Sequence, residues 1–156
     1  MKKVFSLLLA LVLCLTLCAC GKSEAVAAYE NRVAEIGTVT LDSEDAILAA
    51  ENAYNALTEK EKQSVSETKT ILATKRAEYD ALVAAQKARV DSVVAQIDAI
   101  GTVTVDSEAA ITAAEGAYNA LSAAEKAMVG DAGKKLADAR AAYEAAVAEL
   151  KAAHAA

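Results

Sequence analysis

The sequence has few of the residues from which active sites are built. Its 156 residues include no proline, no tryptophan, one phenylalanine and one histidine. The histidine, His154, lies two residues from the end of the sequence, and all three cysteines lie far from it, in the first 20 residues. Catalysis needs a constellation of nucleophile, base and orienting groups. We therefore expect no enzymatic activity, and no metal or other cofactor.

Two of the three cysteines lie in an N-terminal segment that has the pattern of an export signal. Lys2 and Lys3 give this segment a charged start, and an apolar run follows from Val4 to the small residue Ala19. The apolar run is shorter than the about 20 residues that a membrane-spanning helix needs. We expect residues 1–19 to be a signal peptide that is removed on export.

The residues at the expected cleavage point are Leu17, Cys18, Ala19 and Cys20, followed by Gly21. This stretch resembles the lipobox of bacterial lipoproteins. The resemblance implies that Cys20 receives a diacylglyceryl group on its sulfur and becomes the first residue of the mature chain. The mature protein would then be held on the extracytoplasmic face of the cell membrane, because two or more acyl chains give lasting attachment. The alternative is an ordinary secreted protein that is cut near Ala19 and keeps Cys20 as a free thiol.

Charge excludes a further class of partner. Without Lys2 and Lys3, fourteen basic residues stand against twenty-two acidic ones, which gives a formal charge of −8. A nucleic-acid-binding protein needs a basic surface with aromatic stacking positions. We therefore expect no nucleic-acid partner and no attraction to anionic lipid.

The chain contains an internal duplication. The stretch from Ile36 to Leu57 returns 64 residues later, from Ile100 to Leu121, with 18 of 22 positions identical. Within this stretch and in the segments before and after it, apolar residues recur every three or four positions, which is the spacing of helices with one buried face. We use the word copy for each repeated stretch together with its flanking segments. The stripes that the pattern assigns to the core are Val26, Tyr29, Val33 and Ile36; Ile47, Ala50, Tyr54 and Leu57; Leu72, Tyr79, Leu82 and Val83; and, in the second copy, Val90, Val93, Ile97 and Ile100; Ile111, Ala114, Tyr118 and Leu121; Leu136, Tyr143, Val147 and Leu150.

Three such stripes per copy can be buried only against one another, which predicts an all-α fold of two tandem antiparallel three-helix bundles. No glycine or proline interrupts the run from Glu67 to Ile100, so we expect one long helix to connect the copies in a spectrin-like arrangement. The predicted divisions are residues 1–19 for the signal peptide, 20–25 for a lipidated tether, 26–87 and 88–153 for the two modules, and 154–156 for a tail. We expect the chain to be frayed from Lys151 onward.

The residues between the helices predict their ends. Gly37 and Gly101 suit left-handed helix exits, and the Val39, Leu41, Val103 and Val105 side chains are expected to plug the ends of the cores. Asp42 or Ser43 is expected to cap the second helix with its side chain, as is its counterpart Asp106 or Ser107. Thr58 with Glu61, and Ser122 with Glu125, form predicted capping boxes. The glycines Gly130 and Gly133 suggest that the last helix starts at Gly133 or later.

Three polar pairs recur in both copies without an evident capping role. They are Glu51 and Glu115, Asn55 and Asn119, and Arg76 and Arg140. Because Arg76 and Glu51 each lie beside the inward stripe of a helix, we expect a bidentate salt bridge between the second and third helices of each copy. The alternative is a ligand site that the chain uses twice.

Two other groups of residues have a structural and a functional interpretation. Oxygens gather at residues 42–45, but the glycine-centred spacing of alternating acids in a calcium loop is missing, so capping explains them better than calcium does. The tyrosines at equivalent places in the two copies are expected to be packing residues with their hydroxyls at the rim; they are Tyr54, Tyr79, Tyr118 and Tyr143. Stacking against carbohydrate is the alternative.

The combined pattern resembles the tandem three-helix modules of Gram-positive surface proteins, including FIVAR-like and albumin-binding GA-like repeats. The resemblance covers roughly Val26 to Lys151 and is one of pattern and size. It implies a surface display module, and no ligand-binding residue carries over from it. The expected function is that of a spacer or interaction module at the cell surface. An adhesin-like module that binds a host, wall or partner protein through an exposed helical face is the alternative, and an enzyme accessory subunit or chaperone-like carrier is a third.

Overall fold

The structure, a computed structural model, describes residues 22–155, and this part of the chain is all-α with no strand. The predicted signal peptide and Cys20 lie outside the described residues. The helices are α1 (Glu24–Glu35), α2 (Glu44–Asn55), α3 (Glu59–Ser64), α4 (Ser66–Asp98), α5 (Glu108–Asn119), α6 (Ala123–Val129) and α7 (Ala132–Ala155). The chain divides into two units between Asp80 and Ala81, and each unit has its own core.

Helix α1 begins two residues before the predicted start of the first module. Its N-cap is Ser23, whose hydroxyl accepts a hydrogen bond from the backbone amide of Val26 at 3.2 Å. The helix ends before Gly37, which has a φ of 57°. That left-handed conformation strains any residue with a Cβ, so glycine allows the chain to leave the helix here.

The connector from α1 to α2 closes through a small hydrogen-bonded turn. The Ser43 hydroxyl accepts from the Thr40 amide at 2.9 Å, and the Ser43 amide donates to the Thr40 carbonyl at 3.1 Å. Ser43 stands at the N-cap of α2 but makes no side-chain capping bond, so the predicted side-chain cap is wrong. Its oxygen is already used by the turn. The Thr104 amide donates to the Ser107 hydroxyl in the same way, and Ser107 caps nothing either.

The prediction that both apolar residues of each connector pack against the core is correct for only one of the two. Val39 and Val103 pack against the cores of their units. Leu41 and Val105 are each 37% exposed and plug nothing, because the turn at Thr40 and Thr104 directs them to the surface.

Both predicted capping boxes are present. The Thr58 hydroxyl accepts from the Glu61 amide, and the Glu61 carboxylate accepts from the Thr58 amide. Ser122 and Glu125 repeat this exchange. Each box starts a short helix, α3 or α6, that the sequence predicts only as a helical segment before the third long helix.

The core of unit 1 takes residues from α1, α2 and α4 and from the segments between helices, and none from the short helix α3. Tyr29 and Ile47 are fully buried at its centre, and Val65, between α3 and α4, is also buried. Leu72 and Tyr79 are its residues from α4. Unit 2 uses the equivalent positions, with Val90, Val93 and Ile97 from the later part of α4 and Ile111 at the centre. All members of both cores lie between Val26 and Tyr143, so a chain that starts at Lys22 retains both.

Several helix positions differ from prediction. Helix α4 runs without a break from Ser66 to Asp98, so it ends two residues before the predicted Ile100. Helix α7 starts at Ala132 and not at Gly133 or later, since Gly130, with a φ of 60°, already makes the turn before it. The same helix continues to Ala155, so residues 151–155 are helical and not frayed.

Three residues of the predicted inward stripes are exposed. Leu82 and Val83 on α4 are each 39% exposed, and Leu150 on α7 is 45% exposed. The packed part of α7 ends near Tyr143, so an apolar stripe beyond that point has nothing in the unit to cover it. None of the helices in residues 22–155 combines the length and apolarity required to cross a membrane.

Candidate functional site

The structure brings Arg76 and Glu51 together across α4 and α2. The Arg76 Nε lies 2.8 Å from Glu51 Oε1, and Arg76 Nη2 lies 2.8 Å from Glu51 Oε2. Two parallel bonds between planar groups fix orientation as well as distance. Both side chains are only partly exposed, at 25% for Arg76 and 32% for Glu51. The pair therefore sits at the rim of the core and fixes how the two helices face each other.

Unit 2 contains the same pair between α7 and α5. Arg140 Nε lies 2.8 Å from Glu115 Oε1, and Arg140 Nη2 lies 2.5 Å from Glu115 Oε2. Arg140 Nη2 also donates to the Thr112 hydroxyl at 3.1 Å. Leu48 occupies the position of Thr112 in unit 1, so this third bond belongs to unit 2 alone.

A tyrosine and a second glutamate extend each pair. The guanidinium of Arg76 lies 5.6 Å from the ring centre of Tyr79, and Arg140 lies 5.6 Å from the ring centre of Tyr143. Arginine over an aromatic face is a favourable arrangement. Burial raises the pKa of Tyr79, and a hydrogen bond with Glu44 raises it further. Burial and a hydrogen bond with Glu108 raise the pKa of Tyr143 in the same way.

The charges in this cluster are held by one another. The hydrogen bonds that Arg76 donates to Glu51 raise the pKa of Arg76, and the hydrogen bonds that Glu115 accepts from Arg140 lower the pKa of Glu115. A general base or nucleophile needs a group that is free to exchange a proton with a substrate. Here the carboxylates of Glu51 and Glu115 accept hydrogen bonds from arginine, and the rings of the two tyrosines lie against the same arginines. The arrangement joins helices and offers no reactive group.

Asn55 and Asn119 do not join these clusters. Both side chains are exposed at the ends of α2 and α5, and within residues 22–155 neither makes a side-chain hydrogen bond. The backbone carbonyl of Asn119 does accept a bond from Lys126 Nζ at 3.2 Å. The recurrence of this asparagine is therefore not explained by a contact inside the unit.

A second repeated polar cluster surrounds the capping-box glutamates. Ser23 donates to Glu61 Oε1, and this bond with the bonds from Thr58 lowers the pKa of Glu61 to about 2. In unit 2 the corresponding donor is Arg89, whose Nη2 lies 2.6 Å from Glu125 Oε1. The bonds from Ser122 and then that from Arg89 lower the pKa of Glu125. Each glutamate ties the first helical segment of its unit to the short helix after the capping box.

Sequence reasoning missed this second use of the capping glutamates. Ser23 and Arg89 are not at equivalent positions of the two copies, so a search for repeated polar residues cannot find them. The sequence did show that the glutamate recurs, at Glu61 and Glu125. Because the capping box already explained that recurrence, nothing indicated a second hydrogen-bond partner.

Two open grooves lie on unit 2, each of about the volume of a small-molecule site. One, of about 410 Å³, is bordered by Gly101, Asp98, Lys135 and Asp138. We call it the carbonyl groove because the backbone of Gly101 borders it. The other, of about 430 Å³, lies between Val93 and Leu121, with Arg89 and Glu125 at its edge.

Unit 1 differs from unit 2 at the position of the carbonyl groove. There Lys75 Nζ donates to the carbonyl oxygen of Gly37 at 2.6 Å. The residue of unit 2 that is equivalent to Lys75 is Ala139, which lines the groove and cannot make that bond. The copies are thus alike in backbone and unlike in which side chain occupies this place.

Within residues 22–155, no three His, Cys, Asp or Glu side chains come together in a group that could hold a metal ion. Comparison of the chain with protein-family models, with curated proteins and with solved structures finds no match.

Proposed function

We propose that this chain is a non-enzymatic, lipid-anchored protein of the extracytoplasmic cell surface, and that its two helical units act as a spacer or interaction module. The observation that carries the proposal is the sequence Leu17, Cys18, Ala19 and Cys20 behind a charged start and an apolar run. On this proposal Cys20 carries the covalently attached lipid, and the chain is held in the membrane through that lipid.

The polar clusters of the two units are consistent with a display role. In each unit the repeated arginine, glutamate and tyrosine engage one another. A module that only has to keep its shape outside the cell gains from such contacts, because they orient helices whose alanine-rich interfaces bury little apolar area.

The alternative function is an adhesin-like module that binds a host, wall or partner protein. One observation favours it: the copies differ on the exposed face of their first helical segment. Asn31 and Arg32 are exposed on α1, whereas Ala95 and Gln96 occupy the equivalent positions. Glu30, on the same helix, is paired with Lys22 at 2.7 Å. A face that has diverged between copies is where a binding specificity of one copy would reside.

Replacing Cys20 tests the anchor. We expect Cys20→Ala to release the protein into the medium, whereas the unchanged protein remains in the membrane fraction, because the variant has no sulfur to acylate. Cell fractionation followed by immunoblotting measures the distribution. The matched control is Cys14→Ala, which removes a cysteine of the same segment and leaves Leu17 to Cys20 intact. If Cys20→Ala remained in the membrane fraction, the proposed lipid anchor would be contradicted.

The spacer and the binder are distinguished with the chain that starts at Lys22. If the binder is correct, this soluble chain captures a protein or glycan from wall extracts or host fluid, and replacing Asn31 and Arg32 by the alanine and glutamine of the second copy abolishes the capture. A spacer captures nothing in either form.

A further inference from the structure

In unit 1, a lysine side chain donates a hydrogen bond to a backbone carbonyl just after the end of α1. The Lys75 ammonium reaches the Gly37 carbonyl, 2.6 Å away, from a residue 38 positions later in the chain. Gly37 lies just beyond the C-terminal end of α1, where the negative end of the helix dipole favours a cation. An alkylammonium group attached to the chain thus occupies this place in unit 1.

Unit 2 has the same backbone at this place but no lysine on the carbonyl. Gly101 has a φ of 60°, against 57° for Gly37, and follows the last turn of α4 as Gly37 follows α1. Ala139 stands where Lys75 would be. Within the described residues, no side chain donates a hydrogen bond to the Gly101 carbonyl.

The charges around the carbonyl groove suit a cation. Asp98 and Asp138 border it, and their side chains are 53% and 65% exposed. Lys135 Nζ lies 3.1 Å from Asp98, and Lys134 Nζ lies 2.8 Å from Asp138. Such exposed pairs are weak, so the carboxylates remain available to another cation. The negative end of the α4 dipole adds to their attraction.

The apolar part of the groove suits an alkyl chain. Its apolar lining residues are Ile97, Ile100, Val103, Ala139 and Ala142. Apolar walls beside a carbonyl and two carboxylates are what a short methylene chain that ends in an ammonium requires. The lysine side chain in unit 1 has the same chemistry.

We propose that the carbonyl groove of unit 2 binds a free primary alkylammonium ion, with the ammonium on the Gly101 carbonyl and beside Asp98, and the alkyl chain along Ile97 and Val103. The proposal concerns unit 2 alone and does not rest on the lipid anchor.

The experiment is a titration of the chain from Lys22, which contains both cores, followed by amide chemical shifts at pH 7. The probe is n-butylammonium chloride, whose amine is charged at this pH. We expect it to shift the amides around Gly101 and Ala139. Butanol has the same alkyl chain without the charge, so it should bind about tenfold more weakly, the value of one charge-assisted hydrogen bond. Sodium chloride controls for ionic strength.

Exchanging the residue that distinguishes the copies gives the decisive variants. Ala139→Lys should fill the groove from within and abolish the shifts. Lys75→Ala should open unit 1 and add a second set of shifts around Gly37. Lys135→Ala removes a competing cation and should tighten binding.

The proposal is overturned if butanol or sodium chloride shifts the same amides as strongly as butylammonium does. It is also overturned if Ala139→Lys leaves the shifts unchanged, or if Lys75→Ala adds none. Dispersion of the amide spectrum reports whether each variant is folded, and the two single exchanges lie in different units, so misfolding of one leaves the other as a test.

Discussion

Tyr29 is the residue at which the two cores differ most. It is fully buried in unit 1, its ring centre lies 5.6 Å from that of Tyr54, and its hydroxyl has no hydrogen-bond partner among the described residues. Burial raises its pKa, and the neighbouring Tyr54 and Glu30 add to that shift. Unit 2 has Val93 at this position and avoids the problem. A buried polar atom without a partner costs free energy.

We therefore expect Tyr29→Phe to raise the free energy of unfolding by about 1 kcal/mol, because the variant keeps the ring and removes the unpaired hydroxyl. Urea unfolding followed by circular dichroism measures the change. Tyr79→Phe is the control, since among the described residues Tyr29 alone has a buried hydroxyl without a partner, and the loss of the Tyr79 hydroxyl should not stabilise. If Tyr29→Phe is destabilising, the hydroxyl has a partner that this account omits.

Single residues differ in how far the sequence predicts them. The pairing of Arg76 with Glu51 follows from two facts visible in the sequence, their recurrence in both copies and their place beside inward stripes. The Lys75 bond to Gly37 could not be predicted in this way, because Lys75 has no counterpart in the second copy and its acceptor is a backbone atom. Repetition identifies only contacts that both copies share.

At the scale of the helices, the interaction energy of the Arg76–Glu51 pair between α4 and α2, which we call the clamp, can be measured directly. A double-mutant cycle with Glu51→Gln and Arg76→Gln should give a coupling energy of about 0.5 to 1 kcal/mol, since the pair is bidentate but partly solvated. Denaturant unfolding of the four proteins measures it. As a control, Lys87→Gln with Asp91→Asn removes an exposed pair within α4 and should show less coupling. Equal coupling in both cycles would mean that the clamp does not orient the helices.

The capping boxes make the start of α3 and α6 sensitive to acid. The folded protein holds the pKa of Glu61 at about 2, whereas a glutamate in an unfolded chain titrates near 4.3. Between these values the unfolded chain binds a proton that the folded chain does not, so the free energy of unfolding falls as the pH drops through this window. The lowered pKa values of Glu115 and Glu125 act in the same direction.

We expect Glu61→Gln to reduce this loss of stability between about pH 4.5 and pH 2, because glutamine can keep the capping box without titrating. Urea unfolding at several pH values measures the slope. Glu67→Gln, an exposed change in the first turn of α4, controls for the loss of one negative charge. A slope that Glu61→Gln leaves as steep as in the unchanged protein would contradict the assignment.

The helix ends show where local sequence rules succeed. Gly37, Gly101 and the capping boxes place the helix boundaries within one or two residues, because each depends on a residue type with one strong preference. The caps predicted at Ser43 and Ser107 failed because a serine hydroxyl can bond equally well to a nearby turn. The prediction that Leu82, Val83 and Leu150 are buried was wrong, because periodicity does not show where the partner helix ends.

For the whole molecule, duplication predicts the fold far better than it predicts the function. Both units repeat the same core positions and the same clamp, so the all-α class follows from the stripes alone. The spectrin-like arrangement of the units stays a prediction. Ala139 and Val93, which stand where unit 1 has Lys75 and Tyr29, line the two grooves of unit 2 together with Arg89, and the shared pattern does not reveal them.

The central claim is that the chain acts at the cell surface from a lipid on Cys20. Mass spectrometry of the protein purified from membranes tests this most directly. We predict a mature N-terminal peptide that begins at Cys20 and carries a diacylglyceryl group, and the loss of that peptide in Cys20→Ala. A mature chain that begins elsewhere, or an unmodified Cys20, would contradict the account.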